Sequence, residues 1–95
     1  MDAKEILQKY ADGQRNVRYQ DLKNLVLTHA NLRSADFTGS NLSRSDLSSS
    51  YLTNASLNWT NLKGANLSGA NLRGTKMPDG RIHNDFLESA NHLGT

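Results

Sequence analysis

The chain contains no cysteine, which excludes a disulfide framework and thiolate chemistry and leaves the redox compartment open. Proline occurs once and glycine seven times, too sparsely for a collagen-like or plainly disordered chain. No stretch is apolar enough or long enough to span a membrane. Charge of one sign is not in surplus either: eleven Lys and Arg stand against nine Asp and Glu, a net charge of +2. With an isoelectric point near 9.2, this near-balance is a poor nucleic-acid footprint. The opening Met1-Asp2-Ala3-Lys4-Glu5 is charged and leads into a short helix. It lacks the basic head and apolar run of a signal peptide, so cytoplasmic localisation is expected.

Apolar residues are also scarce, at 36% of 95 residues, with a mean hydropathy of −0.67. A domain this short buries a small fraction of its surface and is marginal even with a full complement of apolar side chains. The few it has must be placed with economy.

They are placed every fifth residue. Leu22, Leu27, Leu32, Phe37, Leu42, Leu47, Leu52, Leu57, Leu62, Leu67, Leu72 and Met77 form one unbroken register. Val17 extends it backward, and Ile82 and Leu87 extend it forward. Two residues before each large position stands a small one: Ala30, Ala35, Ser40, Ser45, Ser50, Ala55, Thr60, Ala65, Ala70, Thr75. The residue between them is mostly Asn or Asp, as at Asn31, Asp36, Asn41, Asp46, Asn61, Asn66 and Asn71.

A period of five fits neither a helix, at 3.6, nor a half-buried strand, at 2. It does fit a short extended piece followed by a corner. Residues two apart in an extended piece share a face, so the small and the large residue both point inward. Gly39, Gly64, Gly69 and Gly74 fall two residues after the large position, joined there by Asn24 and Asn54. That is where a type II turn needs positive φ. Ser, Arg or Trp at the same position implies other turn types at those corners.

Units such as Ala30-Asn31-Leu32-Arg33-Ser34, Ala65-Asn66-Leu67-Ser68-Gly69 and Ala70-Asn71-Leu72-Arg73-Gly74 resemble the A-(D/N)-L-x-x signature of the pentapeptide-repeat family. The resemblance covers ten strict units over 30–79 and looser ones back to about Arg15. The segments 4–13 and 77–83 resemble flanking segments of small cyanobacterial members. The resemblance implies an all-β solenoid, a right-handed quadrilateral β-helix with four pentapeptides per coil. Residues twenty apart then stack, giving columns Leu22/Leu42/Leu62, Leu27/Leu47/Leu67, Leu32/Leu52/Leu72 and Phe37/Leu57/Met77. Rungs about 4.8 Å apart give about three coils.

A short solenoid exposes apolar ends that need caps. Residues 1–14 supply an α-helical cap, with Asp2 and Glu5 as a capping box, Gly13 as its stop, and Ala3, Ile6, Leu7, Tyr10 and Ala11 as its apolar stripe. Residues 15–79 are the β-helix, with Leu25 marking an irregular first coil where a small residue is expected. Residues 80–95 form a turn and tail in which Asn84 could cap a short helix carrying Phe86, Leu87, Ala90 and Leu93, ending at Gly94. Whether that tail covers its own solenoid or another chain is open, and so is the choice between monomer and end-to-end dimer.

No catalytic, cofactor or metal residues are assigned. His29, His83 and His92 lack ligand spacing. Asp36 and Asp46 occupy the outward slot of the repeat, and Ser40, Ser45 and Ser50 fill the inward small slot, where their hydroxyls bond backbone. Asn58-Trp59-Thr60 matches a glycosylation sequon, which an Asn-rich repeat produces by chance. A filled interior leaves no pocket for a small-molecule substrate. The residues singled out are Tyr51, Trp59, Arg33 and Arg73, outward types enriched at binding hot spots.

The expected function is therefore a non-enzymatic structural or interaction module with a protein partner. Two alternatives stand against it. The resemblance raises DNA mimicry, by which some pentapeptide-repeat proteins bind gyrase, but that needs a long acidic rod, and this shaft is short and net positive. Direct nucleic-acid binding through Lys23, Arg44 and Lys63, beside Asp21, has a weak footprint.

Overall fold

The computed structural model describes residues 1–83. The tail helix expected from Asn84 onward, together with His92, lies outside the described residues. The first element, α1, spans Ala3–Ala11. It starts where the Asp2 side chain accepts from the Glu5 N–H at 2.8 Å, while the Glu5 carboxylate accepts from the Asp2 N–H at 3.3 Å. These reciprocal bonds satisfy two otherwise orphaned donors. The helix stops at Gly13, whose φ is +85°. There the Gly13 N–H donates to the Tyr10 carbonyl and the Gln14 N–H to the Lys9 carbonyl, both at 3.0 Å, the bond pair of a Schellman stop.

The buried seam of α1 is narrower than the sequence implies. Ile6 is buried in the core, and Ala3 and Tyr10 are partly buried against it. Leu7 and Ala11 are exposed. A short amphipathic helix buries one i, i+3/i+4 row against its neighbours, and Leu7 and Ala11 are off that row.

From Asn16 onward the chain climbs as a ladder. Parallel bridges link residues twenty apart: Asn16 to Asp36, Asp21 to Asn41, Val26 to Asp46 and Asn31 to Tyr51, continuing to Ser56 with Lys76. Twenty residues are four pentapeptides, so the coil has four sides. Within the ladder each pentapeptide flanked by a coil on both sides donates three bonds to them. In the unit around Leu47, Leu47 N–H reaches Asn66 O at 2.7 Å, Ser49 N–H reaches Ser68 O at 2.9 Å, and Asp46 N–H reaches Leu25 O at 2.8 Å. Strands one residue long thus satisfy their backbone by stacking.

The interior holds the columns expected from the period. Leu22, Leu27, Leu32, Phe37, Leu42, Leu47, Leu52, Leu57, Leu67 and Leu72 are fully buried, and Met77 and Val17 nearly so. Leu62 departs from this and is only partly buried. Its next rung would be residue 82, but the chain turns back first. Short strands β1 (Thr75–Lys76) and β2 (Ile82–His83) pair antiparallel, with Gly80 N–H closing a turn onto Met77 O. Ile82 therefore leaves the register and is 55% exposed, so Leu62 has no fourth layer among the described residues.

Every corner shares one backbone conformation, contrary to the mixture of turn types expected. Ser34, Arg44, Ser49 and Trp59 have φ between +57° and +63°, as do Tyr19, Asn24, His29 and Asn54. Gly39, Gly64, Gly69 and Gly74 sit at +70° to +73°. From Leu27 on, the turns close by an N–H to C=O bond across three residues, for example Ala35 N to Leu32 O at 3.1 Å. Closing the square sets the corner, and the side chain there complies at roughly 1–2 kcal/mol per non-glycine residue.

The first two corners lack this closing bond, and there Gln20 and Leu25 stand where a small residue belongs. The turn-closing bond is replaced by a serine from the next coil. Gln20 N–H and Leu25 N–H donate to the hydroxyls of Ser40 and Ser45, both at 3.0 Å. Those hydroxyls donate in turn to Val17 O and Leu22 O, both at 2.6 Å. Ser50 differs: its hydroxyl reaches Leu47 O, which the Ser50 N–H already bonds. Ser45→Ala should therefore cost about 1–3 kcal/mol, since it orphans a buried donor and acceptor, and Ser50→Ala should cost less. Urea unfolding of the two variants checks the order, and equal losses would contradict the bridging role.

Candidate functional site

The Asn/Asp slot is explained by the backbone. Asn31, Asp36, Asn41, Asp46, Asn61, Asn66 and Asn71 each accept a bond from the N–H two residues on, mostly at 3.0–3.1 Å. These Asx turns start each corner. Asp36 also accepts from the Thr38 hydroxyl and pairs with Arg18 at 3.5 Å. Asp46 accepts from the Ser48 hydroxyl at 2.6 Å. The Ser48 hydroxyl and N–H hold the Asp46 carboxyl below its usual range, burial opposes them weakly, and His29 adds a little to the lowering. Both carboxylates are thus occupied in shaping corners.

Among the described residues, no three His, Asp or Glu side chains gather into a metal-binding set, and no helix is long and apolar enough to cross a membrane. His29 is exposed at a corner. His83 is half-buried in β2. A shallow hollow on the outer side of α1 is lined by Met1, Lys4, Glu5, Gln8 and Lys9, with nothing convergent in it.

Of the four outward residues singled out, the structure brings two into contact. Tyr51 stands on the face of the Leu32/Leu52/Leu72 column, bridged to Asn31 and Asn71. The Arg33 guanidinium lies 4.3 Å from the Tyr51 ring centroid, a favourable placement of a cation over a π face. Arg33 also donates to Asn31 Oδ1 at 3.0 Å. Tyr10 of α1 reaches the same spot, its hydroxyl donating to the Arg33 carbonyl at 2.8 Å. Arg73 lies two rungs beyond Arg33 on that edge, with Thr53 between them, and its N–H donates to Asn71.

Trp59 is not part of this group. It occupies a corner one whole face farther around the coil, 74% exposed. Its companion there is Tyr19, forty residues earlier on the same edge and 67% exposed. The sequence reading passed over Tyr19 because the strict repeats begin at Ala30. Extending the corner register backward through Gly39 finds it. The Tyr19 ring lies over Gly39, where a Cβ would come within 2.5 Å of it, and Arg18 sits 5.3 Å from its centroid.

A four-sided ladder of pentapeptides with a leucine interior defines the class as a right-handed β-helix. The family model for pentapeptide repeats matches eight copies over residues 16–48 and 40–77, and the chain belongs to that family. Among solved structures it is similar to a pentapeptide repeat protein from the Arabidopsis thaliana thylakoid lumen, at 36% identity and a TM-score of 0.61. That match covers 62% of this chain and 41% of the other. HetL, a pentapeptide repeat protein involved in heterocyst differentiation regulation in Nostoc sp. strain PCC 7120, matches at 28% identity. There the TM-score is 0.30, with 74% of this chain and 44% of HetL covered. The chain thus spans less than half the length of either structure. No curated protein matches it.

Proposed function

We propose that this chain is a non-enzymatic interaction module that presents the outer faces of a β-helix of about three coils, closed at its N-terminal end by α1, to a protein partner. The observation that carries the reading is the Arg33–Tyr51 stack, an exposed pair held by Asn31 and by the tyrosine of the helix. Such a pair is ordered before any partner arrives, which lowers the entropic cost of binding. Arg73, on the rung above Tyr51, extends the same face. The side-chain-filled interior and the carboxylates engaged in Asx turns support a presenting role over a catalytic one. Gyrase mimicry is the weaker reading, because imitation of phosphates needs a negative field and this chain carries +2.

Comparative capture from the native host tests the proposal, using wild type, Tyr51→Ser and Arg33→Ser as baits. The expected result is a specific partner lost from both variants. Identical partner sets from all three baits would sink the assignment of this face. Protection of gyrase in a supercoiling assay would favour the mimicry reading.

A further inference from the structure

The edge that carries Tyr19 and Trp59 is a separate feature with its own chemistry. Both aromatics hold left-handed backbone, φ +57° and +59°, at positions glycine fills more cheaply. Both remain largely exposed, so neither is compensated by burial in the fold. The Tyr19 ring lies back over Gly39, the residue that stands between it and Trp59 on this edge.

The neighbouring face, that of Leu22, Leu42 and Leu62, runs from this edge to a second one carrying Lys23, Arg44 and Lys63. Between the two edges stand Asn41 and Asn61, whose Oδ1 atoms are engaged by Ser43 and Lys63 N–H groups. Their Nδ2 amides donate to nothing among the described residues. The carboxylates around this face are neutralised: Asp21 pairs with Lys23 at 3.8 Å, Asp36 with Arg18 at 3.5 Å and Asp79 with Arg81 at 3.6 Å. Arg44 bonds the Asn24 side chain at 3.1 Å, and neither it nor Lys63 meets a carboxylate among the described residues.

We propose that this face binds single-stranded nucleic acid, with bases stacked on Tyr19 and Trp59 and the backbone lying over Asn41, Asn61, Arg44 and Lys63. Aromatic platforms beside a cationic track are the physical basis of sequence-tolerant single-strand binding. A duplex hides its base faces and gains little from such platforms. The proposal is independent of the Arg33–Tyr51 face, which lies on another side of the coil.

Trp59 is the chain's single tryptophan, so its fluorescence reports on the site directly. The full chain is titrated with a fluorescein-labelled oligothymidylate, following anisotropy and, with unlabelled strand, tryptophan quenching. The expected result is binding accompanied by quenching, with the logarithm of the affinity falling against the logarithm of salt by a slope of about −1.5 for two phosphates neutralised. Trp59→Ala and Tyr19→Ala should each weaken binding about 5–150-fold, and Lys63→Ala should flatten the salt slope. Tyr51→Ser should leave affinity unchanged, which separates this site from the protein-binding face. No anisotropy change at low salt, equal affinity for a duplex of the same length, or affinity unaltered in Trp59→Ala would each overturn the proposal. Circular dichroism of the variants checks that they are folded.

Discussion

Leu47→Ala is expected to remove about 3–5 kcal/mol of stability, a large share of the 5–15 kcal/mol or so that holds a typical domain together. Leu47 is the middle rung of its column, with Leu27 below and Leu67 above, all essentially fully buried. Truncation there opens a cavity with leucine on two sides and three other columns across it. Collapse is the usual relief for such a cavity, and this fold resists it. The backbone around Leu47 is tied to both adjacent coils at Asn66 O, Ser68 O and Leu25 O, so the wall cannot move inward without breaking the ladder. Leu62→Ala is the internal comparison. It makes the same chemical change in a residue that is only partly buried, and should cost about 1–2 kcal/mol, the loss of part of one side chain's transfer energy. Urea unfolding of both variants measures the difference. Equal losses would mean that the columns do not act as stacked layers.

The contrast between Leu47 and Leu62 also marks how far the sequence can be read. Both occupy the same register position, and volume at every fifth residue reveals the interior of the shaft from composition alone. The small slot is equally legible, because Ala, Ser and Thr have no alternative inside so narrow a tube. What the register does not carry is where it ends. Ile82 continues the count faultlessly yet points to solvent at 55% exposure, because the turn at Gly80 sends β2 back against β1. The conformation of the corners was hidden for a different reason. Positive φ at Ser34, Arg44 and Trp59 is imposed by closure of the square, a property of four units together that no single unit's propensity displays. The serines show the same limit. Their inward position and backbone bonding follow from the repeat. That Ser40 and Ser45 bridge the two corners that lack a closing bond, at Gln20 and Leu25, depends on contacts twenty residues apart. Among the outward residues, hot-spot composition located the Arg33–Tyr51 stack but grouped Trp59 with it. The twenty-residue register, carried back past the strict repeats through Gly39, returns Trp59 to the edge of Tyr19.

Ile6→Asp is expected to be as damaging as Leu47→Ala, with a dependence on pH that Leu47→Ala lacks. Ile6 is 1% exposed and belongs to the same core as Val17, Leu22 and Leu27. A carboxylate buried there without a paired cation costs about 3–5 kcal/mol. Ile6→Ala, which only shortens the side chain, should cost about 2–4 kcal/mol. The sign of the pH effect follows from desolvation. Burial raises the folded-state pKa of the new carboxyl above its unfolded value near 4. The native state then binds the proton more tightly than the unfolded one, so the extra penalty is full above the folded pKa and fades as pH falls toward about 4. Ile6→Asp should accordingly regain stability relative to Ile6→Ala on mild acidification, a narrowing of the gap visible in unfolding midpoints taken across pH. A different outcome is informative about cooperativity. If α1 can detach while the coils remain folded, the aspartate escapes to water, and the loss is capped at the free energy of docking the helix. Ile6→Asp would then show a small loss and no pH dependence, and the Tyr10 bond to Arg33 O would break with it. Full loss with pH dependence instead would mean that the helix and the first coils unfold as one unit, joined through Ile6.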